Sequence, residues 1–500
     1  MIAIQNESRL EVLREMALLL EQENRRLHQR IQQLTLTLAR LQGQDGTSAL
    51  QTELEVLKEL LSRREKALFG DSSEKRPCAD SSAPPDPQSQ PRKGHGPRAQ
   101  LQLPIVEVLH KLEESHLDCP ACGGQLQEMK DQREASDEIT VVERRFVVAR
   151  HLRQKYRCRC NSAVVTAPGP RKLIPGGRYS PAFAVEVAAS KYLDHLPLER
   201  QSRIMQREGL GVGSQTLWDQ LDALAGHLEP TYRELGRRVL TAPLVHADET
   251  HWRLMAKSER KKYWAWCVTS ADTAYYRIFD NRAKDSAQQL LRGYRGTVVA
   301  DGYGAYEALA RAGPGFTLAH CWAHVRRKFV EIEPHYPLQA GEILSLIGEL
   351  YGIERDLQAR EAESPESAAR LSLRAQGRAE RSRALIERIR RWAESQTVLP
   401  RSGLGQAIRY MQELWPGLTR FLDDPLIPLD NNPVERALRG LVVGRKNHYG
   451  SRSRRGCSVA ALFYSLIETA KLCGVEPKGY LLRATSEALD HPGAVTLPAT

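Results

Sequence analysis

Between residues 241 and 335 the apolar residues change period in a fixed order, and that order constrains the fold more than anything else in the chain. Three runs rich in aromatic and β-branched residues come first: PLVHADETHWRLM, YWAWCVTS and TAYYRIFD. The short polar segments AKSERKK and SAD separate them, so they read as an antiparallel meander. A helical stretch follows (AKDSAQQLLRG), then a strand (TVVADGYG), a helix (AYEALARAG), a strand (FTLAHCWAH) and a helix (VRRKFVEI). The expectation is a mixed sheet with helices on its faces.

The order β-β-β-α-β-α-β-α is that of a ribonuclease-H-like fold, and within it the acids are placed unevenly. Asp248 lies in the first strand among apolar residues, a costly place for a charge that is not used. Asp301 closes the fourth strand, just before a Gly-rich turn. First and fourth strands are neighbours in this fold, so the two carboxylates should meet near one end of the sheet. There they repel and raise each other's pKa unless a divalent cation sits between them. Magnesium, which favours carboxylate oxygen, is the natural occupant, and a third carboxylate would complete a site for two ions. Strand alternation puts Glu249 on the opposite face. Asp430 precedes a helix, so both acids rank below the pair.

The third carboxylate comes from LDNNPVERALRGLVVGRKNHYGSRSRRG, residues 429–456. Asn432 reads as an N-cap, Pro433 as the first helical residue, and Glu435 as a capping-box acid reaching back to the cap amide. An acid in the first turn is also favoured by the helix dipole and can serve as a metal ligand. The cations behind it, Arg436, Arg439, Arg445, Lys446 and those of 452–455, are placed to hold phosphates. Residues 336–427 resume no strand pattern and read as an all-helical insertion, after which 428–485 return the chain to the sheet, with 486–500 as a tail.

Upstream the chain is modular. Leu13, Leu20, Leu27, Leu34 and Leu41 recur at sevens, with Ala17, Asn24, Ile31 and Leu38 offset by four. These are d and a positions of a coiled coil, and Asn24 at an a position is a device for fixing a two-stranded register. Residues 1–70 are therefore expected to self-associate as a homodimer or higher oligomer. Residues 71–105, rich in Pro, Ser and charge, read as a disordered linker. Within 106–170, CPACGGQL supplies Cys119 and Cys122, and CRC supplies Cys158 and Cys160. Four thiolates at the ends of an alternating, hairpin-like stretch suggest a zinc ribbon holding a structural Zn2+. Residues 178–230 read as three helices with a GLGVG turn, a helix-turn-helix in which Ser214, Gln215 and Thr216 would meet base edges.

Charge points the same way. Lys and Arg total 72 against 61 Asp and Glu, a surplus of 11 that favours a polyanionic partner such as DNA. Nine cysteines, four of them in two close pairs, fit metal binding in a reducing compartment better than a disulfide framework. No signal peptide opens the chain and no apolar run is long enough to span a bilayer, so a cytoplasmic, nucleoid-associated protein without a membrane partner is expected.

VHADET, VVADGYGAY, AHCWAHVRRKF, DNNPVERALR and GRKN, followed by LFYSLIETAKLCGVEPKGYL, resemble the transposases of the insertion sequence 66 family, and the resemblance covers nearly the whole chain. That family belongs to the DDE recombinases. The resemblance implies that Asp248, Asp301 and Glu435 are the DDE triad. It also implies magnesium-dependent cleavage at transposon ends, transfer of the freed 3′ hydroxyl to target DNA, and accessory proteins encoded by the same element. The chain departs from the commoner family pattern at Gly440 and His448. Cys321 and His324 of CWAH match a family signature; as two ligands they make a poor metal site, which favours packing. Trp322 reads either as a core residue or as a wedge stacking on a flipped base. Two other readings are a structure-selective nuclease on the same fold, and a non-enzymatic dimeric DNA-binding regulator.

Overall fold

The computed structural model describes residues 146–157, 164–255, 262–312, 315–363 and 366–498, together with Arg26, Gln29, Arg30 and Gln33, which are helical and exposed. Apart from those four positions, the expected coiled coil lies outside the described residues. So do the linker at 71–105 and the cysteines Cys119, Cys122, Cys158 and Cys160.

A short antiparallel pair, β1 (Lys155–Arg157) and β2 (Val164–Thr166), precedes three helices: α1 (Pro181–Tyr192), α2 (Leu198–Arg207) and α3 (Ser214–Val239). Ser180 caps α1 by accepting the Phe183 amide at 3.2 Å. Helix α3 runs eleven residues past the expected end near Leu228. Its buried stripe, Leu217, Leu221, Leu224 and Leu228, continues through Thr231, Leu235 and Val239. Burial of that stripe outweighs the backbone hydrogen bond lost at Pro230.

The five-stranded sheet has the order β5-β4-β3-β6-β7. Strands β3 (Leu244–Arg253), β4 (Lys262–Thr269) and β5 (Ala274–Phe279) form the antiparallel meander. Helix α4 (Lys284–Leu290) leads to β6 (Thr297–Ala300), which pairs parallel to β3; α5 (Gly304–Arg311) leads to β7 (Thr317–His320), parallel to β6. The two faces of β3 enter different cores. Val245 and Ala247 pack with Val298, Ala300 and Tyr306 on one side. Trp252 and Leu254 pack on the other with Leu221 of α3 and the C-terminal helices. Helices α1–α3 thus share one core with the sheet, and packing shows no break at the boundary expected between 230 and 241.

Helix α6 (Trp322–Ile332) begins one residue after Cys321, so WAH belongs to its first turn and not to the preceding strand. As the lack of a strand pattern suggested, the regular elements among the described residues of the insertion are helical: α7 (Pro337–Ala362), α8 (Ser367–Gly377), a π-helical turn, α9 (Arg383–Ser395), α10 (Gly403–Glu413) and α11 (Trp415–Leu418). Its core includes Trp322, Val325 and Phe329 of α6. It is locked by Arg378, 1% exposed, which donates to both carboxylate oxygens of Glu354 and to the Phe421 carbonyl.

Helix α12 (Asn432–His448) then returns to the sheet, followed by α13 (Arg454–Leu472) and α14 (Pro477–Asp490). Ser465 accepts the Tyr276 amide at 2.9 Å and Thr469 the Ala274 amide at 3.0 Å, so side chains one helical turn apart satisfy the open edge of β5. Among the described residues no single helix is long and apolar enough to cross a membrane; α13 and α14 reach that composition only as a pair bent by 118°.

Candidate active site

Two acids are brought together by ladder register alone. In the parallel pairing of β3 and β6, His246 lies opposite Val299. Extending both strands by two residues puts Asp248 level with Asp301. The Asp301 carboxylate accepts the Tyr303 amide at 3.0 Å, which orients it over the turn that follows β6. Gly302 is required there, because a Cβ would meet the Tyr410 hydroxyl of the insertion at 2.8 Å. Asp248 accepts the amide of its neighbour Glu249 at 2.8 Å. Its carboxyl is pushed well above the usual range, first by burial and then by the negative charges of Glu249, Asp301 and Glu435.

Glu249, one residue on, faces the other way. Its buried carboxylate is held by Arg282 at 2.6 Å and by the Tyr306 hydroxyl at 2.9 Å. The guanidinium is itself stacked over the rings of Tyr303 (3.9 Å) and Trp264 (4.8 Å). Burial raises this acid's pKa too, but Arg282 opposes the rise.

Glu435 arrives from a distant part of the chain, and its setting differs from the expected capping box. The cap residue of α12 is Asn431, one position earlier than expected, and its side chain does not cap the helix. Asn431 is fully buried and reaches sideways to β3. Its amide donates to the Ala247 carbonyl at 2.9 Å, and its oxygen meets His246 Nδ1 at 2.9 Å. Since that oxygen can only accept, His246 Nδ1 is the donor. Burial lowers the His246 pKa to about 4, which leaves a neutral ring. Asn431 is thus a latch between β3 and the helix bearing Glu435. Nothing short-range in the sequence marked it, because its partners lie 184 and 185 residues away. Asn432 instead donates its side-chain and backbone N–H groups to Asp430, at 2.6 and 3.1 Å. Freed of a capping role, Glu435 has a buried Oε1 with no hydrogen-bond partner among the described residues; His324 Nε2 lies 3.8 Å from it.

Hard oxygen donors at Asp248 and Asp301, with the charge of Glu435 acting on Asp248, suit a divalent cation such as magnesium. Such a cation would offset the burial and the neighbouring negative charges that raise Asp248.

The cations proposed from sequence divide. Arg436, Arg439 and Lys446 are exposed on α12. Arg445 is not available in the same way: its guanidinium donates to Thr250 Oγ1 at 3.2 Å and to the His251 carbonyl, tying α12 to β3. GRKN forms the last helical turn. Arg455 pairs with Asp222 of α3 at 2.6 Å. At the start of α3, Ser214 donates to Glu199 at 2.8 Å, Gln215 donates to Asp219 at 2.9 Å, and Thr216 is half-buried. Ser214 and Gln215 also line a cavity of about 340 Å³ with Lys191, Trp218 and Arg452. Trp322 is wholly buried, donates to the Leu418 carbonyl at 2.9 Å and packs edge-on against Trp415, so it is a core residue.

Comparison with known proteins identifies two family models. One, described as "Transposase IS66 family", matches residues 176–459; the other, "zinc-finger binding domain of transposase IS66", matches residues 117–161, a span that includes all four paired cysteines. Three relatives from Sinorhizobium fredii (strain NBRC 101917 / NGR234) are similar over most of their length. Uncharacterized protein y4qI is 31% identical over 95% of this chain and 89% of its own. Uncharacterized protein y4jD is 32% identical over 76% of each, and uncharacterized protein y4hP 30% identical over 75% of this chain and 71% of its own.

Proposed function

From a chain that belongs to the IS66 family of transposases and carries that family's zinc-finger domain, we propose a DDE recombinase. It binds the terminal inverted repeats of a transposon, cleaves the ends and joins the freed 3′ hydroxyl to target DNA. The observation that supports this reading is that Asp248, on one of two adjacent strands, feels the charges of Asp301 on the other and of Glu435 on the latched helix. The strand order, three antiparallel then two parallel, supports a ribonuclease-H-like core.

In this reading Asp248, Asp301 and Glu435 present the oxygens that hold two magnesium ions. When bound, the ions neutralise charge on the attacking and leaving oxygens of an in-line displacement. The protein's own task is placement. The Tyr303 amide orients Asp301, and the His246–Asn431 latch fixes the first turn of α12 against β3. Exposed Arg436, Arg439 and Lys446 hold the DNA backbone beside the carboxylates. Ends are recognised through the helices of 178–230, with Ser214 and Gln215 exchanging their internal hydrogen bonds, and Thr216 beside them, for contacts to base edges. Zinc is bound by Cys119, Cys122, Cys158 and Cys160. Self-association runs through the leucine repeats of 1–70, and accessory proteins of the same element complete the assembly.

The test is a strand-transfer assay on DNA carrying the flanking inverted repeats, with magnesium, comparing wild type with Asp301→Asn. Joined products that vanish in the variant support the reading. Cleavage without joining would favour a nuclease, and specific binding without any chemistry a DNA-binding regulator.

A further inference from the structure

Glu435 has neighbours of two kinds, and the second kind has a different chemistry. Cys321 and His324 stand three residues apart at the entry to α6, a spacing that puts them on one side of a helix. That entry is pinned to the entry of α12: the Trp322 amide donates to the Leu429 carbonyl at 2.8 Å, and the Asn431 amide to Cys321 Sγ at 3.2 Å. As a result the Cys321 sulfur, a His324 ring nitrogen and a Glu435 carboxylate oxygen all lie within 4.8 Å of one another. Two polar atoms buried at this junction, His324 Nδ1 and Glu435 Oε1, have no hydrogen-bond partner among the described residues. Buried polar atoms are nearly always satisfied, so two orphans together mark a place that is completed by something else. The third ligand, which the sequence alone did not connect to CWAH, is Glu435, more than a hundred residues downstream.

We propose that Cys321, His324 and Glu435 bind a transition-metal ion of the zinc class, at a site that shares Glu435 with the Asp248–Asp301 pair but is otherwise separate from it. A thiolate, an imidazole and a carboxylate are a borderline-soft donor set that suits zinc and not magnesium, which takes oxygen ligands. Three protein ligands leave a fourth tetrahedral position for water. The buried thiol releases its proton when the ion binds. The consequence for catalysis rests on the function proposed above: a Glu435 committed to this ion is withdrawn from Asp248 and Asp301. Zinc then restrains the reaction and excess magnesium releases it.

The experiment uses the full chain, stripped of metal and titrated with cobalt as a spectroscopic stand-in for zinc. Thiolate-to-cobalt and ligand-field absorption are followed together with bound metal per chain. Wild type should bind one equivalent more than Cys321→Ser, and the lost equivalent should carry the absorption of a single thiolate. His324→Gln should lose the same equivalent, and circular dichroism should confirm that both variants are folded. Asp248→Asn should retain it. Equal stoichiometry in wild type and Cys321→Ser would overturn the proposal, as would loss of the equivalent in Asp248→Asn. Failure of the transposase reading looks different: strand transfer would survive in Asp248→Asn whatever the cobalt titration gives.

Discussion

Asp248 and Glu249 are consecutive acids on one strand, and the two faces of β3 treat them in opposite ways. Glu249 enters the core shared with Tyr306 and meets a hydroxyl and a guanidinium that is itself braced by two aromatic rings. Its charge is matched by the protein. Asp248 has no cation among the groups acting on it: burial first, and then the charges of Glu249, Asp301 and Glu435, hold its proton more tightly than usual. A compensated buried carboxylate is an architectural part. An uncompensated one beside two others is a place for a cation supplied from outside. Identical chemistry and adjacent positions in the chain did not distinguish them; the partners did.

Substitutions can break that contrast. The largest expected effect is on activity: Asp248→Asn should lower strand transfer by roughly three orders of magnitude, about 4 kcal/mol of lost transition-state stabilisation, in a magnesium-dependent joining assay. Retained activity would remove Asp248 from the site. Arg282→Met should act on stability instead, costing roughly 2–3 kcal/mol in urea unfolding. That is less than breaking a fully buried pair, because Arg282 is partly exposed. An Arg282→Met protein as stable as wild type would mean that Glu249 does not depend on its partner. Asn431→Ala should cost about 1–3 kcal/mol by leaving the Ala247 carbonyl and His246 unsatisfied, and should lower the rate at saturating DNA because Glu435 loses its latch. Normal turnover in that variant would show that α12 is held otherwise.

The smallest effect is a pH slope. The native pKa of Asp248 lies above the unfolded value near 4. The metal-free protein should therefore lose stability as pH rises from that value through the raised one, and level off above it. Glu249 contributes in the same sense, so the informative quantity is the difference between wild type and Asp248→Asn, whose slope should be flatter. Identical slopes would mean that the Asp248 carboxyl is not raised by its burial and its acidic neighbours.

Much of the architecture was legible because it is written in short-range pattern. The three aromatic runs, the strand–helix alternation after them and the all-helical insertion appear where the sequence placed them. Errors came where a local rule competed with a distant partner. A capping box was a reasonable reading of NNPVE, but buried Asn431 is recruited by His246 and Ala247. Arg445 looked like a free cation in a basic run, yet β3 claims it. Helix α3 was expected to stop before Pro230, and a buried stripe that packs on the sheet carries it nine residues beyond. Cys321 and His324 looked like an incomplete ligand pair because the carboxylate beside them belongs to another helix.

By itself, then, the sequence determined which segments alternate with period two and which with the period of a helix, and therefore which acids lie on strands and at strand ends. Those properties depend on neighbours a few residues away. Only the tertiary structure decided which acid is compensated and which is not, and that Glu435 lies beside the Cys321–His324 pair while its charge acts on Asp248. The physical reason is that a charge's energy is set by whatever lies within several ångströms of it. Here those groups come from segments as much as 185 residues apart, joined by the buried bond between His246 and Asn431.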